Sequence, residues 1–277
     1  GGHTHTHEIE YSGRKWNIDS GFIVYNERTY PNFINILDRL GVERQLTRMG
    51  FSVKSEKNDL EYAGHSLNGL FAQRSNLFRP SFIRMLRSMW RFNSEARADL
   101  KGLDSETTLG EYLKSNGYPE EFIQHFIIPI GAAIWSTVPH QMMDMPAIFF
   151  IRFFDNHGLL QIVDRPNWWV ITGGSKQYVE KMIYGFENKI RLSSPVKNVT
   201  REDGSITVQF GANSLESENF DSVIFATHSN QSLAMLDSPT KEEVEILSAI
   251  KYQKNDALLH YDAVSYTHLT LPTILLV

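Results

Sequence analysis

Residues Ile18–Gly41, IDSGFIVYNERTYPNFINILDRLG, run from a strand through a tight turn into a helix. Trp16 and Ile18 alternate with polar neighbours, the pattern of a half-buried strand. Asp19-Ser20-Gly21 breaks that alternation, and glycine permits the sharp backbone path. Pro31 presets φ for a first helical turn. Phe33, Ile36, Leu37 and Leu40 then recur at helical spacing until Gly41 stops the helix. A strand feeding a helix this closely places the chain in the α/β or α+β class.

Working outward, the segment before this stretch reads GGHTHTH, with His3, His5 and His7 at every second position. On a strand these share a face, and zinc or copper is the chemistry they suggest. No fourth ligand follows from the spacing, so the expectation is a histidine-rich strand edge and no metal site. Downstream, Phe51–Ser55 and Leu60–Ala63 read as a hairpin around Lys57-Asn58-Asp59. Pro80 to His157 is mostly helical. Its helices are Pro80–Leu100, with Phe82, Met85, Leu86 and Met89 on one face, Leu109–Asn116 capped by Thr108, one starting near Pro119, and Met145–Phe154.

From Trp168 the period changes again. Trp168–Ile171 is strand-like, Thr172-Gly173-Gly174-Ser175 a turn, and Lys176–Phe186 a helix with Tyr178, Val179, Met182 and Ile183 inward. Short strands are expected at Ile190–Leu192, Val196–Thr200 and Ser205–Phe210, the last two joined by Asp203-Gly204. Ser222–Ala226 has the form of a buried parallel strand. Helices follow at Ser229–Leu236 and Thr240–Ile250, the latter with a Thr240/Glu243 capping box.

At 277 residues the chain suggests about two domains. A net charge of −5 with 21% charged residues excludes a globally basic nucleic-acid binder and a disordered acidic chain. The absence of cysteine excludes disulfides, thiolate metal sites and cysteine nucleophiles. No apolar run approaches the ~18 residues of a membrane span, and no signal peptide is visible. A cytoplasmic location is therefore expected. Between Arg74 and Lys101 the net charge is +5. Arg84, Arg87 and Arg91 lie opposite Phe82, Met85 and Met89, which opens a peripheral contact with anionic lipid alongside the plainer solvated face.

Gly1-Gly2-His3-Thr4, Ile18–Gly41, GAAIWST (Gly131–Thr137), FFDNHGLLQ (Phe153–Gln161), TGGSKQYVEKM (Thr172–Met182), SPVKNV (Ser194–Val199) and VIFATH (Val223–His228) follow one another in this order. The series resembles the flavin-containing amine oxidase superfamily, most closely its bacterial branch of NAD/FAD-binding oxidoreductases. The resemblance implies FAD as cofactor and a partial, doubly wound FAD-binding domain. It also implies a helical and mixed-sheet substrate domain. On that reading residues 1–50 and 172–263 belong to the FAD-binding and sheet regions, and residues 51–171 to the substrate subdomain.

The resemblance also implies roles for single residues. Gly1 and Gly2 would let the main chain approach the cofactor, with His3 and Thr4 as donors. Asp19, Ser20, Gly21 and Phe22 would pass beside the isoalloxazine ring. Val196 would meet the adenine edge, and Ala226 and Thr227 the phosphates or adenosine. Trp135 and Trp168 are candidates for lining a substrate cavity, although large aromatics also build cores. No catalytic base follows. His140, His157 and His228 qualify only by titration range.

Two departures stand out. The chain contains no G-x-G-x-x-G, and it opens on glycine instead of methionine, which suggests a piece of a longer protein. Its end, VSYTHLTLPTILLV (Val264–Val277), carries no charge and resembles translated sequencing adapter, so no function is expected past Ala263. The functional expectation is an oxidoreductase acting on a C–N or C–C bond of a small, hydrophobic or lipid-like substrate. The alternative is a non-catalytic binding protein of the same fold. Oligomeric state does not follow from the sequence.

Overall fold

A computed structural model describes residues 2–11, 13–64, 66–136, 139–161, 164–202 and 204–254, without the side chains of Pro139 and His140. Gly1, Asp203 and the segment 264–277 lie outside the described residues. The chain divides into two compact units, Gly1–Met182 and Ile183–Lys254.

The first unit begins with a hairpin, β1 (Thr6–Tyr11) and β2 (Arg14–Asp19), in a register that sets Thr6 opposite Asp19. Then come β3 (Tyr25–Asn26), α1 (Pro31–Leu40), β4 (Arg44–Thr47), and the expected hairpin of β5 (Ser52–Ser55) and β6 (Leu60–Ala63). Pro31 opens α1 as the sequence suggests. Gly41 closes it at φ 58°, where the left-handed conformation lets its N–H reach the Asp38 carbonyl. Leu37, fully buried, anchors α1 on Tyr25, Val42, Ile171 and Tyr178.

The helical part comprises α2 (Leu67–Leu70), α3 (Pro80–Asp99), α4 (Leu109–Ser115), α5 (Glu120–Phe122), a π-helical turn (Ile123–Ile127), α6 (Ile128–Trp135), α7 (Pro139–Asp144) and α8 (Ala147–Asn156). Phe82, Met85, Ser88, Phe92 and Ala96 form the buried stripe of α3, three or four residues apart. Thr108 caps α4 and Glu111 completes the box. The π-helical turn has a local cause. Pro129 has no N–H to give the His125 carbonyl four residues back. The hydroxyl of fully buried Tyr62 donates to that carbonyl instead, at 2.6 Å. Burial pushes the Tyr62 phenol far above its ordinary pKa, so it stays a donor.

Next, β7 (Trp168–Ile171) lies between β3 and β4 in an antiparallel sheet, and α9 (Lys176–Ile183) follows. The sequence does not announce β4 or β3, which are short and mostly polar. Met182 is 46% exposed, against the inward position expected of it. It falls in the last turn of a helix that ends three residues earlier than its apolar spacing suggests.

In the second unit, β8 (Val196–Glu202), β9 (Ser205–Phe210) and β10 (Glu216–Phe220) make an antiparallel meander. Two helices follow, α10 (Ser229–Met235) and α11 (Lys241–Ala249). Val199, Val208 and Phe210 form its core. The Thr240/Glu243 capping box is present, and Arg201 grips Glu243 with two bonds of 2.7 and 2.9 Å.

Three expectations need correction. Ile190–Leu192 forms no strand; Leu192 is 82% exposed, with no sheet to join. Ser222–Ala226 is extended but makes no ladder. Val223 and Phe225 turn toward the Val199 core while Ile224 is 92% exposed, so the run is one-sided instead of buried on both faces. Finally, every ladder among the described residues is antiparallel, apart from one isolated Val199–Leu236 bridge. The mixed α/β class holds, but no doubly wound parallel sheet occurs among the described residues.

Candidate functional site

Asp19, the last residue of β2, is the centre of a polar knot in the first unit. After β7 the chain reverses through Gly173 (φ 81°) and Gly174 (φ 92°), conformations costly for any residue with a Cβ. The reversal turns the start of α9 onto Asp19. Both carboxylate oxygens accept from Ser175 N at 3.0 Å. The Ser175 hydroxyl lies 2.9 Å from Asp19 Oδ2 and 2.8 Å from the Phe22 carbonyl, one proton between two acceptors. Thr6 donates its hydroxyl to Asp19 Oδ1 and accepts from Lys176 N at 3.0 Å. A negative group at a helix N-terminus satisfies amides that have no partner within the helix. A Cβ on Gly174 would lie 2.5 Å from the Thr6 methyl, so the approach requires glycine.

The remaining first-unit candidates surround this knot. Ser20 N donates to the His5 carbonyl at 3.0 Å, and the Ser20 hydroxyl lies 2.8 Å from His7 Nε2. Gly21 passes against the backbone of His3, where a Cβ would fall 1.6 Å from the His3 carbonyl oxygen. Its close approach is to the chain itself. Thr4 shares a hydrogen bond with the Tyr178 hydroxyl. Gly2, at φ 63°, has open space where a Cβ would stand. His5 and His7 stack with ring centroids 4.3 Å apart, and no cluster of three metal-ligating side chains occurs among the described residues.

From the knot a line of rings leads toward the helices. Phe22 meets Tyr30 (5.8 Å) and Phe33 (5.2 Å); Tyr30 meets His157 (6.3 Å). His157 stacks on Phe153 (4.0 Å) and lies parallel to Trp168 (6.4 Å). Phe153 in turn packs on Trp135 (4.8 Å). His157 Nδ1 is 2.9 Å from the Phe153 carbonyl. A carbonyl only accepts, so Nδ1 is the donor of this bond. Trp135 also touches Phe149 and Phe150, so it belongs as much to the helical core as to any cavity.

The second unit carries Val196, Ala226 and Thr227. Val196 is 38% exposed beside a bulge at the start of β8, and Ala226 is exposed. The Thr227 hydroxyl lies 2.8 Å from that of Ser232. His228 stacks on Tyr252 at the start of α10. These residues and the Asp19 knot belong to different compact units.

A sequence model of flavin-containing amine oxidoreductases matches residues 1–275. The chain belongs to this family. Solved structures agree on the fold. Cyclohexylamine oxidase from Brevibacterium oxydans IH-35A superposes with a TM-score of 0.63 at 16% identity, over 90% of this chain and 55% of that one. Putrescine oxidase, solved with putrescine bound, gives 0.62 at 19% identity, with the same coverage of each chain. A CLA-producing fatty acid isomerase from P. acnes gives 0.59 at 16%, again over 90% and 55%. The chain therefore spans little more than half the length of these structures, and identities this low speak for fold alone. No curated protein matches it in sequence.

Family membership implies FAD, and the knot tests how its residues suit that cofactor. The Asp19 carboxylate and the Thr4 and Ser20 hydroxyls have partners within the chain, so they shape the loop. Of the two described glycines of the predicted set, Gly2 has free space where a Cβ would stand and Gly21 does not. Sequence reasoning missed Thr6, Ser175 and Tyr178. A Gly-Gly-Ser before a helix and an acid closing a strand were the signals that could have paired Asp19 with Ser175.

Proposed function

We propose that the protein is, or is part of, a FAD-dependent oxidoreductase of the bacterial NAD/FAD-binding branch. It would remove two electrons from a C–N or C–C bond of a hydrophobic substrate. The observation that carries this reading is the Asp19–Ser175 knot continuing into the ring line Phe22–Tyr30–His157–Phe153. A glycine-shaped loop is thus continuous with a run of packed rings. When bound, FAD would supply the electron acceptor. The chain's part is to fix the loop, exclude water along the rings, and offer His157 Nε2 as a proton acceptor. Gly2 and Phe22 would present backbone to the cofactor.

No helix among the described residues is long and apolar enough to cross a membrane. Of the basic face expected on α3, Arg87 is exposed. Arg84 is paired with Glu121, and Arg91 lies over the Tyr118 ring and bonds to the Asn116 carbonyl.

The test is to purify the product of the whole gene in which this sequence lies. Its visible spectrum is recorded before and after anaerobic addition of putrescine, cyclohexylamine and longer alkylamines. The expected product is yellow and bleaches with at least one of them. A folded but colourless product would overturn the reading in favour of a binding protein. The present chain, which holds no G-x-G-x-x-G to cradle the pyrophosphate, is expected to be colourless after desalting.

A further inference from the structure

Helix α3 buries one stripe and leaves an unusual one in water. Its buried side is the stripe from Phe82 to Ala96. Its flanks are bridged to neighbouring helices, Arg84 to Glu121 of α5 on one side and Arg97 to Asp155 of α8 on the other. Between those flanks, helical spacing lines up Pro80, Ile83, Arg87 and Trp90 on the outer ridge. Trp90 is 65% exposed. Among the described residues, neither its side chain nor that of Arg87 has a hydrogen-bond, ion-pair or ring partner.

A 3-10 turn (Arg74–Phe78) leads into this ridge at Pro80 and is pinned from within. Fully buried Asn76 donates to the Glu61 carbonyl at 3.0 Å. Gln73 accepts from Glu61 N at 2.9 Å and donates to the Asp59 carbonyl at 3.0 Å. These bonds hold the turn in place while Leu77 and Phe78 stand in water, Phe78 at 88% exposure. Arg74 reaches Asn68 of α2 at 2.8 Å, next in sequence to exposed Leu67. The charge around these apolar tips has one sign. Residues 62–94 hold Arg74, Arg79, Arg84, Arg87 and Arg91 and no Asp or Glu. Acids from outside that stretch, Asp59, Glu121 and Glu95, pair with Arg79, Arg84 and Arg91. Arg74 and Arg87 are left as the surplus.

We propose that the outer ridge of α3 and the turn before it dock on an anionic phospholipid surface, lying in the headgroup boundary without crossing it. Phe78, Leu77 and Trp90 enter the boundary, where aromatic rings gain burial and keep water nearby. Arg74 and Arg87 meet lipid phosphates, which a guanidinium binds through paired N–H groups. The paired arginines add no net attraction, so the contact rests on these two charges and on the apolar tips. A helix ridge is convex and narrow. It suits a deformable lipid boundary, whereas a stable protein partner would have to cover about 800 Å² of it with a complementary surface. Such docking is independent of any redox chemistry in the first unit.

The experiment sediments the full 277-residue chain with phosphatidylcholine vesicles, with and without phosphatidylglycerol. The chain is expected to pellet with the mixed vesicles only, and added salt should release it. Phe78→Ser and Trp90→Ser should each weaken binding about tenfold or more, the worth of burying one such ring, and Arg87→Glu should weaken it too. Ile224→Ser, at an exposed apolar residue of the second unit, should leave binding unchanged. All four positions are exposed, so the variants are expected to melt with the wild type. Equal pelleting with pure phosphatidylcholine, or binding that survives both Phe78→Ser and Trp90→Ser, would overturn the assignment. Self-association without lipid that Trp90→Ser abolishes would overturn it too, by giving this face to a second copy of the chain.

Discussion

Around Phe92, which is fully buried, five aromatic rings stand with centroids 5.8 to 6.5 Å away. Around Asp19 stand the hydroxyls of Thr6 and Ser175 and the Ser175 amide, each at a fixed distance and angle. The first neighbourhood is held by area, which is non-directional and spread over many contacts. The second is held by a few directional bonds, none of which replaces another. Burial gives the helical part its stability and tolerates drift in any one ring. The knot contributes less energy but fixes where a loop lies to a fraction of an ångström, which a ligand site requires.

The contrast is tested most severely at its apolar end. Phe92→Ala removes the ring on which Tyr112, Tyr118, Phe122, Phe150 and Phe154 converge. It should cost about 3–5 kcal/mol, read as a loss of denaturation midpoint at unchanged slope. A cost under 1 kcal/mol would show that the helices re-pack around the gap.

Asp19→Ala should be milder overall and sharper locally. It strips the acceptor from Ser175 N and from two hydroxyls, for about 2–3 kcal/mol. Hydrogen exchange should quicken at Ser175 and Lys176, while amides flanking Phe92 keep their protection. Uniform loss of protection would mean that the two neighbourhoods unfold as one, and the comparison would fail.

The two regions were also unequally legible. Helices α3, α4 and α11 were readable because periodic apolar residues, Pro80, Thr108 and the Thr240/Glu243 box are local signals. The π-helical turn was not, since it depends on Tyr62 reaching across from the hairpin to the carbonyl that Pro129 leaves free. In the knot, Asp19, Gly21 and the glycine pair could be picked out, but their partners could not. Thr6 faces Asp19 through strand register, and Ser175 arrives from more than 150 residues away. Ser222–Ala226 misled because composition sets how apolar a strand is, and only neighbours decide whether both faces are covered.

The smallest expected effect lies between these extremes, at the Arg84–Glu121 pair. Here one directional bond crosses from α3 to α5 over a buried apolar floor. The hydrogen bond from Arg84 comes first in lowering the Glu121 carboxyl, with burial opposing it. A carboxylate whose folded pKa is depressed stabilises the fold above its unfolded value, about 4.3 for glutamate. That contribution fades as the pH falls through the lower folded value. Wild type should therefore exceed Glu121→Gln in stability near neutral pH by well under 1 kcal/mol, because the pair is partly solvated. The gap should begin to shrink as the pH falls past the unfolded value of about 4.3 and close once it has passed the lower folded value, where protonation makes the two side chains alike. A gap that persists in acid would mean that shape, not charge, is what Glu121 supplies. A gap that widens would mean that the sign of the coupling is wrong. Added salt should narrow it at neutral pH without moving the acid limit, and the Phe92→Ala deficit should respond to neither.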